Sequence, residues 1–76
     1  MKTEAGVRQA VSDHIKRFKA ENNMNTQDIE EISGISSRSL VSYMAQESLP
    51  NLFSAYLLAD SMDLTIDALI TKPDTP

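Results

Sequence analysis

The chain has no cysteine. Disulfide frameworks and thiolate metal sites are therefore excluded, and the redox compartment is left open. Glycine is nearly as scarce, with two in 76 residues, so there is no glycine-rich loop to cradle a phosphate. Histidine occurs once, at His14. Its neighbour Asp13 lies about 100° away around a helix, which makes a poor acid–base pair. With no second histidine there is no metal site, and His14 reads as an exposed surface residue beside an apolar stripe. No nucleophile–base constellation is present, so enzyme activity is not expected. No apolar run approaches the roughly 20 residues of a membrane span, and the first residues lack the apolar core of a secretion signal. The expectation is a cytoplasmic protein without membrane, cofactor or small-molecule ligand.

What remains is a small polar chain. Seventy-six residues make one domain, with its core at about 5–71 and a flexible tail at 72–76 that holds two prolines. A chain this short buries only about 60% of the surface its unfolded form exposes, so a partner surface would add usefully to its stability. The net charge is −4, which weighs against binding nucleic acid by bulk electrostatics. The charges are not evenly spread. Residues 1–20 carry Lys2, Arg8, Lys16, Arg17 and Lys19 against Glu4 and Asp13, whereas residues 21–34 carry only Glu21, Asp28, Glu30 and Glu31.

The apolar spacing predicts an all-α domain of five short helices, with no strand pattern and no repeat. Val7, Val11, Ile15 and Phe18 form the stripe of a first helix that Thr3 caps and Asn22-Asn23 ends; Arg8, Asp13, Lys16, Arg17 and Ala20 fall on its solvated face. Thr26 caps a second helix with Asp28 in its first turn and Ile29 and Ile32 inward. Gly34 stops that helix, because glycine takes the left-handed conformation freely. Ser36 caps a third helix, Ser37 to about Gln46, with Leu40, Tyr43 and Met44 on its apolar side. Asn51 caps a fourth, Leu52 to Met62, whose core face is assigned to Leu52, Ala55, Tyr56, Leu58, Ala59 and Met62. Thr65 caps a fifth, Ile66 to about Thr71. Met24, Met44 and Met62 read as core gap-fillers.

Two helices joined by so short a turn form a helix-turn-helix unit. Across residues 11–70 the pattern resembles the Cro/lambda-repressor-like (XRE family) DNA-binding domains. The family's apolar pair in helix one falls on Ile15 and Phe18, and the apolar residue before helix two on Met24. Its Leu-Ala pair falls on Ile29-Glu30, its Gly-Val-Ser turn on Gly34-Ile35-Ser36, and its third-helix Ile on Leu40. Pro50 follows the turn glycine at the family's sixteen-residue spacing. The closing Leu-x-Val-Ser/Thr-x-Asp-x-Leu pattern falls on residues 62–69. Five positions depart from the family's pattern. Glu30 stands where the family has a small residue, and Lys19 and Met44 stand where it links helices one and three by an Arg–Glu pair. Thr26 replaces a contact Gln, unless Gln27 serves, and Gln46 replaces a loop glycine.

The resemblance implies that the third helix enters the DNA major groove and that its N-terminal part and outer face, Ser36, Ser37, Arg38, Val41 and Ser42, contact bases. Arg38 is the strongest reader, since a guanidinium grips guanine O6 and N7 together. Helix N-termini at Thr26-Gln27 and Asn51 are placed to hold phosphates, with Lys16, Arg17 and Lys19 as helpers. Glu30 and Glu31 repel DNA if they face it. Leu49, Phe53 and Leu57 form an apolar stripe beyond the needs of the core, the expected surface of a homodimer. The function expected is a sequence-specific DNA-binding transcription regulator, a small phage or mobile-element repressor of the Cro type acting on an operator. The alternative is a protein-binding module on the same fold, an antirepressor or antitoxin-like partner.

Overall fold

The computed structural model describes residues 2–73 and contains five α-helices: α1 Glu4–Glu21, α2 Thr26–Ser33, α3 Ser37–Met44, α4 Leu52–Ser61 and α5 Ile66–Leu69. The last three residues of the predicted tail lie outside the described residues. No strand occurs among those described. The domain is all-α.

Each helix starts on a side chain that accepts from an N–H one turn in, which satisfies a donor the helix itself leaves open. Thr3 accepts from Gly6, Ser36 from Ser39, Asn51 from Ser54 and Thr65 from Ala68, as the sequence predicts. For α2 the cap is Asn25 rather than Thr26. Asn25 accepts from the Asp28 N–H, and the Asp28 carboxylate accepts from the Asn25 N–H, a reciprocal capping box. A box satisfies two donors where Thr26 would satisfy one, so the helix begins on Thr26 as its first turn.

The helix ends are equally local. Gly34 closes α2 at φ +81°. The other left-handed residues are not glycines: Asn23, Gln46 and Asp63, at φ 52°, 62° and 58°, each stand two residues beyond a helix. The next residue's N–H then reaches back five positions, from Met24 to Lys19, Glu47 to Ser42 and Leu64 to Ala59, at 2.8–3.0 Å. These are Schellman ends. They stop α3 at Met44, α4 at Ser61 and α1 at Glu21. α3 and α4 are therefore slightly shorter than the apolar pattern suggests, and α5 ends at Leu69 rather than at about Thr71.

The core draws Val11 and Ile15 from α1, Ile29 from α2, Leu40 and Tyr43 from α3, Ala55, Leu58 and Ala59 from α4, Met62 from its C-cap and Leu69 from α5, with Ile35 of the turn pointing inward. Met24 and Met44 pack against its edge. α3 lies against α1 and α2, and α4 against α2 and α5.

Three core assignments are corrected. Ile32 is half exposed, because the inward face of α2 is centred on Ile29 and Ser33. Ser33 tolerates burial because its hydroxyl donates to the Ile29 carbonyl at 2.7 Å and accepts from the Ile35 N–H at 3.1 Å. Leu52 and Tyr56, assigned to the core of α4, are both exposed. The core face of α4 is the narrower stripe Ala55, Leu58, Ala59 and Met62.

Candidate functional site

The turn Gly34-Ile35-Ser36 sets α3 across α2 with its outer face free. Gly34 ends α2 in the left-handed region, buried Ile35 anchors the turn, and Ser36 restarts the chain as a helix. On that outer face Arg38 and Val41 are exposed, three residues apart and hence neighbours. Among the described residues the Arg38 guanidinium makes no hydrogen bond or ion pair.

The three serines predicted to share this face are already engaged. Ser36 Oγ accepts from the Ser39 N–H and donates to Ser39 Oγ at 3.0 Å. Ser37 donates both its N–H, at 2.9 Å, and its hydroxyl, at 2.6 Å, to Glu30 Oε1. Ser42 Oγ shares a proton with Ser48 Oγ at 2.7 Å and so pins the loop after α3. Ser37 and Ser42 are half buried, and Ser36 is exposed.

Glu30 is the residue whose role the pattern does not reveal. It faces the start of α3. Its exposed carboxylate sits at the N-terminus of α3, and the two Ser37 bonds hold its pKa below the ordinary value of about 4.5, with the hydroxyl bond the larger cause and the N–H bond the second. A small residue at this position would leave the Ser37 N–H open. The legible signal is the pairing itself: an acid on the last turn of one helix, seven residues before a serine that opens the next.

The helix N-termini consequently differ. At α3 the Ser37 N–H is taken by Glu30, the Ser39 N–H by Ser36 Oγ and the Leu40 N–H by the Ser36 carbonyl. At α2 the capping box and the Ile29 N–H bond to the Asn25 carbonyl leave Thr26 and Gln27 without an intrahelical partner. At α4 the Asn51 cap likewise leaves Leu52 and Phe53 open, and no acid stands in its first turn. α3 thus keeps only the Arg38 N–H open, whereas α2 and α4 each keep two adjacent donors of the kind that hold an oxyanion.

Lys16 and Lys19 line one open groove with Asn23, Met24 and Met44, which brings both lysines beside the chain that leads into α2. Arg17 does not join them. It lines a different pocket with His14, Phe18 and Leu64, and its Nε pairs with Glu21 at 3.2 Å. His14 is half buried, not exposed: its Nε2–H donates to the Thr71 carbonyl at 2.8 Å and ties α1 to the end of α5. No group of His, Cys, Asp and Glu suited to a metal ion exists among the described residues.

No family model, curated protein or solved structure matches this chain.

The predicted association stripe is redrawn. Leu49 and Leu57 are half buried, and Leu57 packs against the core. Phe53 is 68% exposed, and it is joined by Leu52 at 76% and Tyr56 at 53%. At about 100° per residue these three cover a continuous arc of about 100° on α4. Apolar residues surround α4 so completely that periodicity does not divide its core face from its outer one. No helix among the described residues is long and apolar enough to cross a membrane.

Proposed function

We propose that this chain is a sequence-specific DNA-binding transcription regulator that works as a homodimer in the cytoplasm. The observation that carries the reading is Arg38 beside Val41, uncommitted on the outer face of a helix launched by a three-residue turn from α2. In this reading α3 lies in the major groove with Arg38 on a guanine and Val41 against a thymine methyl. The open N–H groups of α2 and α4 take phosphates, with Lys16 and Lys19 as long-range attraction.

The Leu52-Phe53-Tyr56 arc supports pairing about a two-fold axis, since a symmetric dimer buries the same patch on both copies. Pairing doubles the phosphate contacts of a chain whose net charge is −4. The resemblance to Cro-type domains adds the expectation of a small phage or mobile-element repressor that excludes polymerase from an operator. Selection of bound sequences from a random duplex pool at one stated, moderate salt concentration tests the reading. An enriched palindrome supports it.

A second reading has its own support in Glu30. A carboxylate held at the start of α3 sets a negative charge where DNA backbone would approach. On that reading the domain grips a protein through α2 and the apolar arc of α4, as an antirepressor or antitoxin-like partner. No enriched sequence in the selection favours it.

A further inference from the structure

We propose that Glu30 fixes the hydrogen-bonding sense of Ser37, so that Ser37 at the start of α3 prefers a base bearing an amino group, cytosine or adenine, on the strand it faces. The inference rests on the DNA-reading function above and assigns a specificity-determining pair within it.

A serine hydroxyl has one proton and two lone pairs, whereas an ionised carboxylate only accepts. Glu30 Oε1 lies 2.6 Å from Ser37 Oγ, so the single Ser37 proton is directed at Glu30. The Ser37 N–H, 2.9 Å from the same oxygen, holds the carboxylate in place and keeps the hydroxyl from rotating away. What Ser37 presents outward is lone pairs alone. Ser36 is restricted in the same way, because its proton goes to Ser39 Oγ at 3.0 Å. The exposed Glu30 carboxylate adds further acceptor capacity beside them. Arg38 is then the donor of this end of the helix.

In the major groove guanine offers O6 and N7 and thymine offers O4, all acceptors, whereas cytosine N4 and adenine N6 are donors. An acceptor-only surface repels the first pair and matches the second. Cytosine is the better match, since adenine sets a further acceptor, N7, next to its amino group. A serine free to rotate would accept either kind of base and discriminate little. Glu30 acts here as a positioning residue: it converts an indifferent hydroxyl into a selective one.

The test is selection from a random duplex pool at one fixed salt concentration, with the full chain and with Ser37→Ala, Glu30→Gln and Glu30→Ala. Ser37→Ala identifies the base position that Ser37 reads, as the one whose preference collapses. In the unmodified chain that position is expected to favour cytosine or adenine over guanine and thymine by about fivefold or more, the worth of one hydrogen bond. Glu30→Gln keeps an acceptor oxygen and is expected to retain the preference. Glu30→Ala frees the Ser37 proton and is expected to reduce it below about twofold, the residue of a rotating hydroxyl. A purely architectural Glu30 would weaken every sequence alike and leave that position unmoved.

Guanine or thymine at the Ser37 position overturns the inference, as does an unchanged preference in Glu30→Ala or a loss in Glu30→Gln as large as in Glu30→Ala. A Ser37→Ala variant that shifts no position overturns it too. If Glu30→Ala does not fold, Glu30→Met, which keeps the bulk but likewise removes the carboxylate acceptor, takes its place with the same expected loss of preference. An absence of any enriched sequence overturns the DNA-reading function itself, an outcome distinct from an enriched site with the wrong base.

Discussion

Ser12, fully buried in the middle of α1, donates its hydroxyl proton to the Met44 carbonyl at the end of α3, at 2.7 Å. Arg8, one turn earlier, reaches the Gln46 carbonyl at 3.1 Å. Two carbonyls that α3 cannot satisfy within itself are thus satisfied by α1. Lys19 and Met44 cannot form an ion pair between these helices, and the two side-chain-to-carbonyl bonds join them instead. Ser12→Ala is expected to lower unfolding stability by about 1–2 kcal/mol, because it leaves a part-buried acceptor without its donor. Urea unfolding at unchanged slope measures this; a loss under a few tenths would mean that water replaces the hydroxyl.

Gly34 and Gln46 make opposite predictions from the same backbone conformation. A Cβ at Gly34 meets nothing within 4 Å, so Gly34→Ala costs only the left-handed backbone penalty, about 1–2 kcal/mol. Gln46 already bears that penalty at φ 62°, so Gln46→Gly is expected to raise stability by about 0.5–1 kcal/mol. Thermal unfolding of both variants checks the pair. A destabilising Gln46→Gly would show that the Gln46 side chain contributes more than its strain.

Much of this backbone is legible in the sequence, and each exception has its own physical cause. Thr3, Ser36, Asn51 and Thr65 are capping residues by type and position, and Gly34 is a helix stop by type, so local chemistry decides them. Asn25 and Thr26 are both good caps by type and stand side by side, and only the reach of Asp28 separates them. Ile32, Leu52 and Tyr56 are apolar yet exposed, and apolarity alone does not distinguish them from core residues. The burial of Ser33 rests on its hydrogen bonds, which composition does not display. The Glu30–Ser37 bond joins two helices, and its geometry depends on the turn between them.

Stability is expected to depend on pH through Glu30. Its folded pKa lies below the ordinary value of about 4.5, because the Ser37 hydroxyl and N–H favour the ionised form. A depressed folded pKa contributes stability that is fully present above the unfolded value and is lost as pH falls through the folded one. The difference in melting temperature between the unmodified chain and Glu30→Gln should therefore be constant near neutrality and shrink below about pH 4.5. A difference that stays flat down to pH 3 would remove the ionised bond.

The arc on α4 separates association from folding. Phe53→Asp puts a charge on the exposed face and is expected to give a monomer with nearly unchanged stability, measured by sedimentation equilibrium. Leu57→Ala removes a side chain packed on the core and is expected to cost about 1–2 kcal/mol, less than a fully buried leucine, while leaving association intact. Association that survives Phe53→Asp would take the dimer away from this face.

Arg38 is the sharpest test of the DNA reading, because nothing in the fold holds it. Exposed and without a partner among the described residues, it has no structural task whose loss would mimic a binding defect. Arg38→Ala is expected to leave unfolding unchanged, to cost about 1–3 kcal/mol of specific binding and to relax one base position. Arg38→Lys keeps the charge but loses the planar fork that spans guanine O6 and N7, so it should retain non-specific affinity and still lose that base preference. Competition of single-base variants of the selected site, at one salt concentration, reads both effects. Equal weakening on every sequence would reassign Arg38 to the phosphates, and no weakening would move the reading surface off α3.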